Sequence, residues 1–325
     1  TRLGVQIKTA GYHPEAGESV GVSVKRIRVI ALIICGAMAG LGGAYLSMAN
    51  LGYFSAGMVS GRGFIGMLLS QSGYEVTFVD VAAPVVEPLQ QNHRYPVRIL
   101  EGSTYTDVDV TNVTAVNGNN MNDVAEAIAQ ADIMATAVGV NILKFIIPNL
   151  IAGIRLRKER NCKPFNIIIC ENLMDANKVL EGMLKANLTE EEQAWFDDNI
   201  GLVEASIGRM VPVQTDEMKD GEPLRVCVES YGFLPVDKDA FKGPLPEIRN
   251  MVPFAPFDFY IKRKLYIHNM GHATCAYLGD LLGLDFIWQS IDRDEVYIVV
   301  RNAMTESAQA LSKKYGVQLD EILDH

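Results

Sequence analysis

Positive charge is scarce in this chain. Its 325 residues carry 29 Lys and Arg against 39 Asp and Glu, a formal net charge of -10, and neutralising nucleic-acid phosphates takes a surplus of cations, which excludes a general nucleic-acid binder. Paired cysteines are lacking as well. The five present (Cys35, Cys162, Cys170, Cys227 and Cys275) form no C-x-x-C pair, so neither a disulfide framework nor a zinc knuckle is implied and a reducing, cytoplasmic compartment fits. There is no internal repeat and no low-complexity linker. With 49% hydrophobic and 21% charged residues, the chain can bury a sizeable core in one large or two ordinary domains.

Charge of either sign is missing altogether from Val29 to Gly61. The heart of that stretch, "VIALIICGAMAGLGGAYL" (Val29 to Leu46), is long enough for a bilayer-spanning helix. "KRIR" before it is the cationic flank that stays on the cytoplasmic side, so association of residues 29–46 with the inner membrane is expected. A buried strand, "RVIALII", running into a glycine-rich turn is the alternative. Up to Gly63 the chain holds six cations (Arg2, Lys8, Lys25, Arg26, Arg28, Arg62) against Glu15 and Glu18. The excess acid therefore all lies beyond.

After Gly61 the texture changes to alternating strand and helix signals. "YEVTFVDV" reads as a strand, "MNDVAEAIAQA" as an amphipathic helix, "DIMATAVG" as a buried strand, "NILKFIIPNLIAGIRLRK" as a helix interrupted by Pro148, and "FNIIICEN" as a further strand. This order predicts a parallel sheet with helices on its faces. "LTEEEQAW" offers a capping box, Thr189 with Glu192, that starts another helix. "PLRVCVESY" reads as a strand, and from about Pro256 to Tyr315 the pattern is mostly helical.

Two constellations carry chemistry. In a dinucleotide-binding unit, glycines after the first strand let the backbone approach a pyrophosphate, and an acid about 20 residues on holds the adenine ribose. Gly61 and Gly63 open a short helix, and Asp80 ends the next strand at that separation. The earlier fingerprint positions are occupied by Ala56 and Met58, and "ANLGYFSA" has little strand character. If the stretch ending at Gly40 supplied the strand instead, Asp80 would lie about twice too far away. Asp80 as a ribose acceptor favours NAD over NADP; its ordinary reading is a solvated turn residue.

The second constellation is "KRKLYIHNMGHATCAYLGDLLG". On a helix, Lys264, Asn269 and His272 fall within an arc of about 140°. Lys264, its pKa lowered by burial, suits removal of an alcohol proton, while Asn269 and His272 hydrogen-bond the oxygen as it becomes a carbonyl. A solvated cationic face is the plainer alternative. His268 and His272 have the i, i+4 spacing of a zinc helix, but position 269 is Asn and no third ligand stands out, so no metal is expected. Lys262 and Arg263 are candidates for a substrate phosphate because a dianion needs cations.

"GRGFIGMLL", "VTFVDV", "ATAVG", "NIIICENL", "IGRMVP", "FKGPLPEI" and "RKLYIHNMGHATCAYLG" together resemble the mannitol-1-phosphate 5-dehydrogenase family of zinc-independent long-chain polyol dehydrogenases. The resemblance runs from about Gly61 to the C-terminus. It implies an α/β fold, a Rossmann-like doubly wound parallel sheet over 61–188, then a mainly helical substrate domain over 189–325 lacking the family's last helices. It implies NAD-linked interconversion of mannitol 1-phosphate and fructose 6-phosphate, with Lys264 as acid/base and Asn269 and His272 polarising the oxygen. Thr136, Ala137 and Asn172 would lie near the nicotinamide ribose, with Glu171 near the site. Residues 1–60 resemble instead the membrane permease subunit of sugar or nucleoside ABC transporters. A "GRGFI"-like string is common to both families and marks the expected join, at which the first strand is replaced and cofactor binding is put in question.

Overall fold

The computed structural model describes residues 61–323 except 103, 210, 212 and 213. Residues 1–60, with the apolar stretch 29–46 and the expected replacement of the first strand, lie outside the described residues. Among those described, no helix is long and apolar enough to cross a membrane.

A π-helical turn, Gly61–Gly66, runs directly into α1 (Met67–Gln71), followed by β1 (Val76–Asp80) and α2 (Ala83–Asn92). A hairpin of β2 (Arg94–Glu101) and β3 (Thr104–Thr111) leads to β4 (Val113–Asn117) and α3 (Met121–Gln130). Then come β5 (Ile133–Thr136), α4 (Leu143–Glu159), β6 (Phe165–Ile169), α5 (Ala176–Lys185), α6 (Glu190–Asn199) and β7 (Ile200–Glu204). The chain continues through α7 (Asp216–Lys219), β8 (Val226–Glu229), β9 (Leu234–Asp237) and β10 (Met251–Phe254). From there it is helical: α8 (Asp258–Arg263), a second π-helical turn at Lys264–Asn269, α9 (Met270–Leu281), α10 (Ile287–Ile291), α11 (Asp294–Tyr315) and α12 (Leu319–Leu323).

The parallel sheet is built as two blocks. β1 pairs in parallel with β4, from Val76 opposite Val113 to Asp80 opposite Asn117. β5, β6 and β7 form the other block, also parallel throughout. In a doubly wound fold of strand order 3-2-1-4-5-6, β4 and β1 take positions 3 and 2, and β5 to β7 take positions 4 to 6. Among the described residues no strand fills position 1, and no ladder joins the edge of β1 to that of β5. β7 lies beyond the domain boundary expected at Leu188. It stays in the sheet because Ile200 to Glu204 ladder onto Phe165 to Ile169.

β6 shows why the chain needs helices on both faces. All five of its residues are buried, and alternation sends them opposite ways. Phe165, Ile167 and Ile169 join Ile128 of α3, Ile147 and Leu150 of α4 and Leu180 of α5, whereas Ile168 packs with Phe64, Ile65, Leu68 and Val203. Gly153 lets α4 approach α3: a Cβ there would stand 2.6 Å from the Ile128 side chain. The buried Arg157 donates to the carbonyls of Ile128, Ala129 and Ala131 at 2.8–3.1 Å, satisfying groups that the end of α3 leaves open. The interruption expected at Pro148 does not occur. α4 runs through it, because one missing N–H near the start of the helix is offset by a well-packed apolar face.

The capping box starts α6 as expected: the Thr189 hydroxyl accepts from the Glu192 N–H at 3.3 Å and Glu192 accepts from the Thr189 N–H at 2.8 Å. The hairpin, absent from the sequence expectations, pairs through β2 with β8. Tyr95, Val97, Val110, Val226 and Val228 thereby form a second core with Val76, Val113 and Met67.

Candidate active site

In open α/β sheets, ligands bind beyond the carboxyl ends of the strands, and the polar groups of this chain gather there. β5 ends at Thr136 and the chain turns back at Gly139, where φ is 88° and an L side chain would be strained. β6 ends at Ile169, followed by Cys170, Glu171 and Asn172. The buried Glu171 accepts the backbone N–H of Val138 at 3.0 Å and of Gly139 at 2.7 Å. Its carboxylate thus ties the β5 loop to the end of β6. The resemblance placed Glu171 near the site; its observed work is to shape the loop.

Asn172 Oδ1 accepts a hydrogen bond from Lys264 Nζ at 3.1 Å. Both residues line a cavity of about 200 Å³ with Asn269, Glu171, Glu204 and Ser206, closed by Ile169, Leu173, Met174 and Leu265. Asn172, expected beside the nicotinamide ribose, is therefore a partner of the amine. Burial lowers the Lys264 pKa, and burial raises that of Glu204 although it accepts the Ala176 N–H.

Lys264 opens the second π-helical turn, whose hydrogen bonds reach five residues instead of four. In an α-helix a separation of five leaves two side chains about 140° apart. The wider turn brings Lys264 and Asn269 toward a common line, and both meet the same cavity. His272 does not line it; its ring packs edge-on against His268 with centroids 4.5 Å apart. Burial, His272 and Lys264 all lower the His268 pKa. Among the described residues no group of three or more His, Cys, Asp or Glu is placed to hold a metal.

The proposed phosphate cations do not reach the cavity. Lys262 pairs with Asp258 at 2.6 Å, one turn back along α8, and Arg263 lies 5.8 Å from the Tyr260 ring centroid. Neither lines the cavity, because both leave α8 on other faces.

On the cofactor side, Asp80 is buried at the end of β1. Its Oδ1 accepts the Ala82 N–H at 2.8 Å, which sets the turn into α2, and burial raises its pKa against the nearby Arg62. Thr136 is buried, and its hydroxyl has no hydrogen-bond partner among the described residues. Ala137 faces Gly61, where an added Cβ would stand 3.7 Å from the Ala137 Cβ. Gly63, expected near the cofactor, instead packs on β8: a Cβ there would fall 2.7 Å from Val228 and 2.9 Å from Val226.

Sequence reasoning missed Arg209, Glu204 and Ser206. Arg209 donates to the Gly63 carbonyl at 3.0 Å and to that of Tyr231, with its guanidinium 4.9 Å from the Phe64 ring centroid. Burial lowers its pKa to about 10. The signal was "EASIGRMVP", where a lone cation sits among small and apolar residues.

The mannitol dehydrogenase Rossmann domain family model matches residues 53–250, more than half of the chain. The chain belongs to the mannitol dehydrogenase family. The C-terminal domain model of mannitol dehydrogenase matches residues 257–324, so the change of model coincides with the start of the helical region at Asp258. A permease component of the branched-chain amino acid transport system matches residues 1–70. It overlaps the dehydrogenase match over residues 53–70, the stretch that holds "GRGFIG".

Two solved structures share the fold of this mannitol dehydrogenase family member. D-sorbitol dehydrogenase in substrate-free form superposes with a TM-score of 0.67 at 14% identity, covering 75% of this chain and 61% of that one. Pseudomonas fluorescens mannitol 2-dehydrogenase, in a ternary complex with NAD and D-mannitol, gives 0.66 at 12% identity, covering 80% of this chain and 64% of that one. The chain thus spans under two thirds of the length of either.

Proposed function

We propose that this mannitol dehydrogenase family chain interconverts a polyol and its ketose with NAD, and more narrowly mannitol 1-phosphate and fructose 6-phosphate. The observation that carries the reading is the hydrogen bond from Lys264 Nζ to Asn172 Oδ1 inside a cavity beyond the end of β6. The narrower substrate rests on the motif resemblance alone, since Lys264 is the single cation among the described residues that line the cavity.

A dinucleotide fits the residues beyond β1 and β5. The buried Asp80 carboxylate suits the adenine ribose, and the Thr136 hydroxyl, without a partner among the described residues, is a donor and acceptor that a second ribose or the nicotinamide amide would satisfy. When bound, NAD supplies the acceptor for the hydride lost from the substrate carbon. Lys264 takes the hydroxyl proton, because burial favours its neutral amine. Its bond to Asn172 uses an N–H and leaves the nitrogen lone pair free for that proton. Asn269 donates its amide N–H to the oxygen as the carbonyl forms. In ketose reduction Lys264 returns the proton.

Absorbance of NADH during incubation with NAD and either mannitol 1-phosphate or mannitol tests the reading. Turnover that Lys264→Met abolishes supports it, and the ratio of kcat/KM for the two polyols decides the phosphate. A second reading is favoured by one observation: no described strand fills the central position between β1 and β5. On that reading the chain is a fusion product that keeps the acid/base centre without binding NAD. Titration with NADH separates the two, because a silent fusion leaves NADH fluorescence unchanged at every protein concentration.

A further inference from the structure

Two polar residues of the cavity have no part in the proton transfer, and both come from the end of β7. Ser206 is 7% exposed, and its hydroxyl has no hydrogen-bond partner among the described residues. A buried hydroxyl left unpaired costs free energy, so one that lines a cavity marks a place where a ligand can satisfy it. Glu204 stands two residues earlier. Its Oε1 accepts the Ala176 N–H at 2.9 Å, and the carboxylate also accepts from the Asn177 N–H. A carboxylate offers about four lone-pair sites, so Glu204 keeps capacity for a further donor.

Glu204 and Lys264 line the same cavity without pairing, since Lys264 Nζ donates to Asn172. A ligand that meets both an amine and a carboxylate there is a chain of hydroxyl groups. Glu204 also disfavours one substituent. Asp175 and Asp237 lie near it and add to burial in raising its pKa, and the nearby Lys178 is already engaged by Asp175 at 2.6 Å. Negative charge therefore gathers on the β7 side and repels a phosphate dianion. At about 200 Å³ the cavity is smaller than the roughly 300–1,000 Å³ of ordinary ligand pockets, so it takes one end of a six-carbon chain.

We propose that Glu204 and Ser206 bind the terminal hydroxymethyl group next to the carbon whose oxygen Lys264 serves, and so keep the phosphorylated end of the substrate away from β7. The proposal rests on the polyol reading of the same site. The substrate O–H donates to the Glu204 carboxylate, and the Ser206 hydroxyl donates to the same substrate oxygen. A methyl group in that place leaves both protein groups buried and unpaired.

The test is titration calorimetry of the full 325-residue chain with fructose 6-phosphate and with its 1-deoxy analogue, which lacks only that hydroxyl. The parent is expected to bind the analogue at least about tenfold more weakly, the factor for one hydrogen bond to a charged acceptor. Glu204→Leu, with circular dichroism unchanged, is expected to bind the two alike. Equal affinities in the parent, or a preference that Glu204→Leu retains, overturn the proposal. If Glu204→Leu does not fold because α5 loses its tie to β7, Ser206→Ala decides: a reduced preference supports the proposal and an unchanged one overturns it. A parent that shows the preference yet forms no NADH leaves this proposal standing and contradicts the dehydrogenase reading. A parent that binds neither ligand overturns both.

Discussion

Replacing Glu171 removes the tie between the two ends of the parallel sheet's active-site edge. The residue is 6% exposed, and its two oxygens each accept one backbone N–H, from Val138 at 3.0 Å and Gly139 at 2.7 Å. Hydrogen bonds to a charged group contribute about 1.5–3 kcal/mol each. Glu171→Ala leaves both N–H groups unpaired in a partly buried loop, so the expected loss is about 3–5 kcal/mol. For a chain of this size that lowers Tm by roughly 10 °C. Glu171→Gln keeps one acceptor oxygen and turns an amide N–H₂ toward the other N–H, so about half the loss is expected. Differential scanning calorimetry of the three proteins gives the order directly. Variants that melt within about 0.5 kcal/mol of the parent would refute the reasoning, because that is the range of an ordinary surface change.

Lys264→Met is expected to lower kcat for polyol oxidation by about 10²–10⁴, measured by NADH absorbance. In the parent, oxidation rises with pH as Lys264 loses its proton and levels off below the ordinary lysine value of about 10.4, because burial depresses the pKa. The linked stability has the same sign: the unfolded chain binds more protons between the two pKa values, so the cost of charging Lys264 disappears as pH rises through that window. Asp80→Ala is expected to weaken NADH binding in a fluorescence titration and to narrow the preference for NADH over NADPH. Gly66→Ala drives a methyl group into the Phe78 ring and is expected to cost about 1–3 kcal/mol by urea denaturation. Thr189→Ala, which breaks the capping box of α6, is expected to cost about 1 kcal/mol in the same assay.

β1, β5 and β6 were legible because apolar runs such as "FNIIIC" and "VTFVDV" end in polar residues, and α3 because its apolar residues recur at helical spacing; their ladder partners β4 and β7 were not anticipated. The hairpin β2–β3 was not. Its residues alternate with charged and hydroxyl side chains, and its pairing with β8 joins segments more than 100 positions apart. Lys264 and Asn269 were legible as residue types at a spacing, and their meeting in one cavity depends on a π-helical turn that local composition does not announce. His272, which a regular helix would bring onto the shared arc, packs on His268, the neighbour that its i, i+4 spacing supplies. Gly63 carried the right residue type and position for a phosphate loop, yet its lack of a side chain serves contact with Val226 and Val228. Which use a glycine serves depends on what folds against it.

The central claim is that Lys264, held by Asn172, is the acid/base of an NAD-linked polyol dehydrogenase. The most direct test is the rate of NADH formation with mannitol 1-phosphate and NAD as a function of pH, in the parent and in Lys264→Met. The account predicts turnover in the parent that rises with pH to a plateau, and its loss in the variant at every pH. Turnover in Lys264→Met equal to that of the parent, or a parent that binds NADH and polyol yet forms no NADH at any pH, would contradict it.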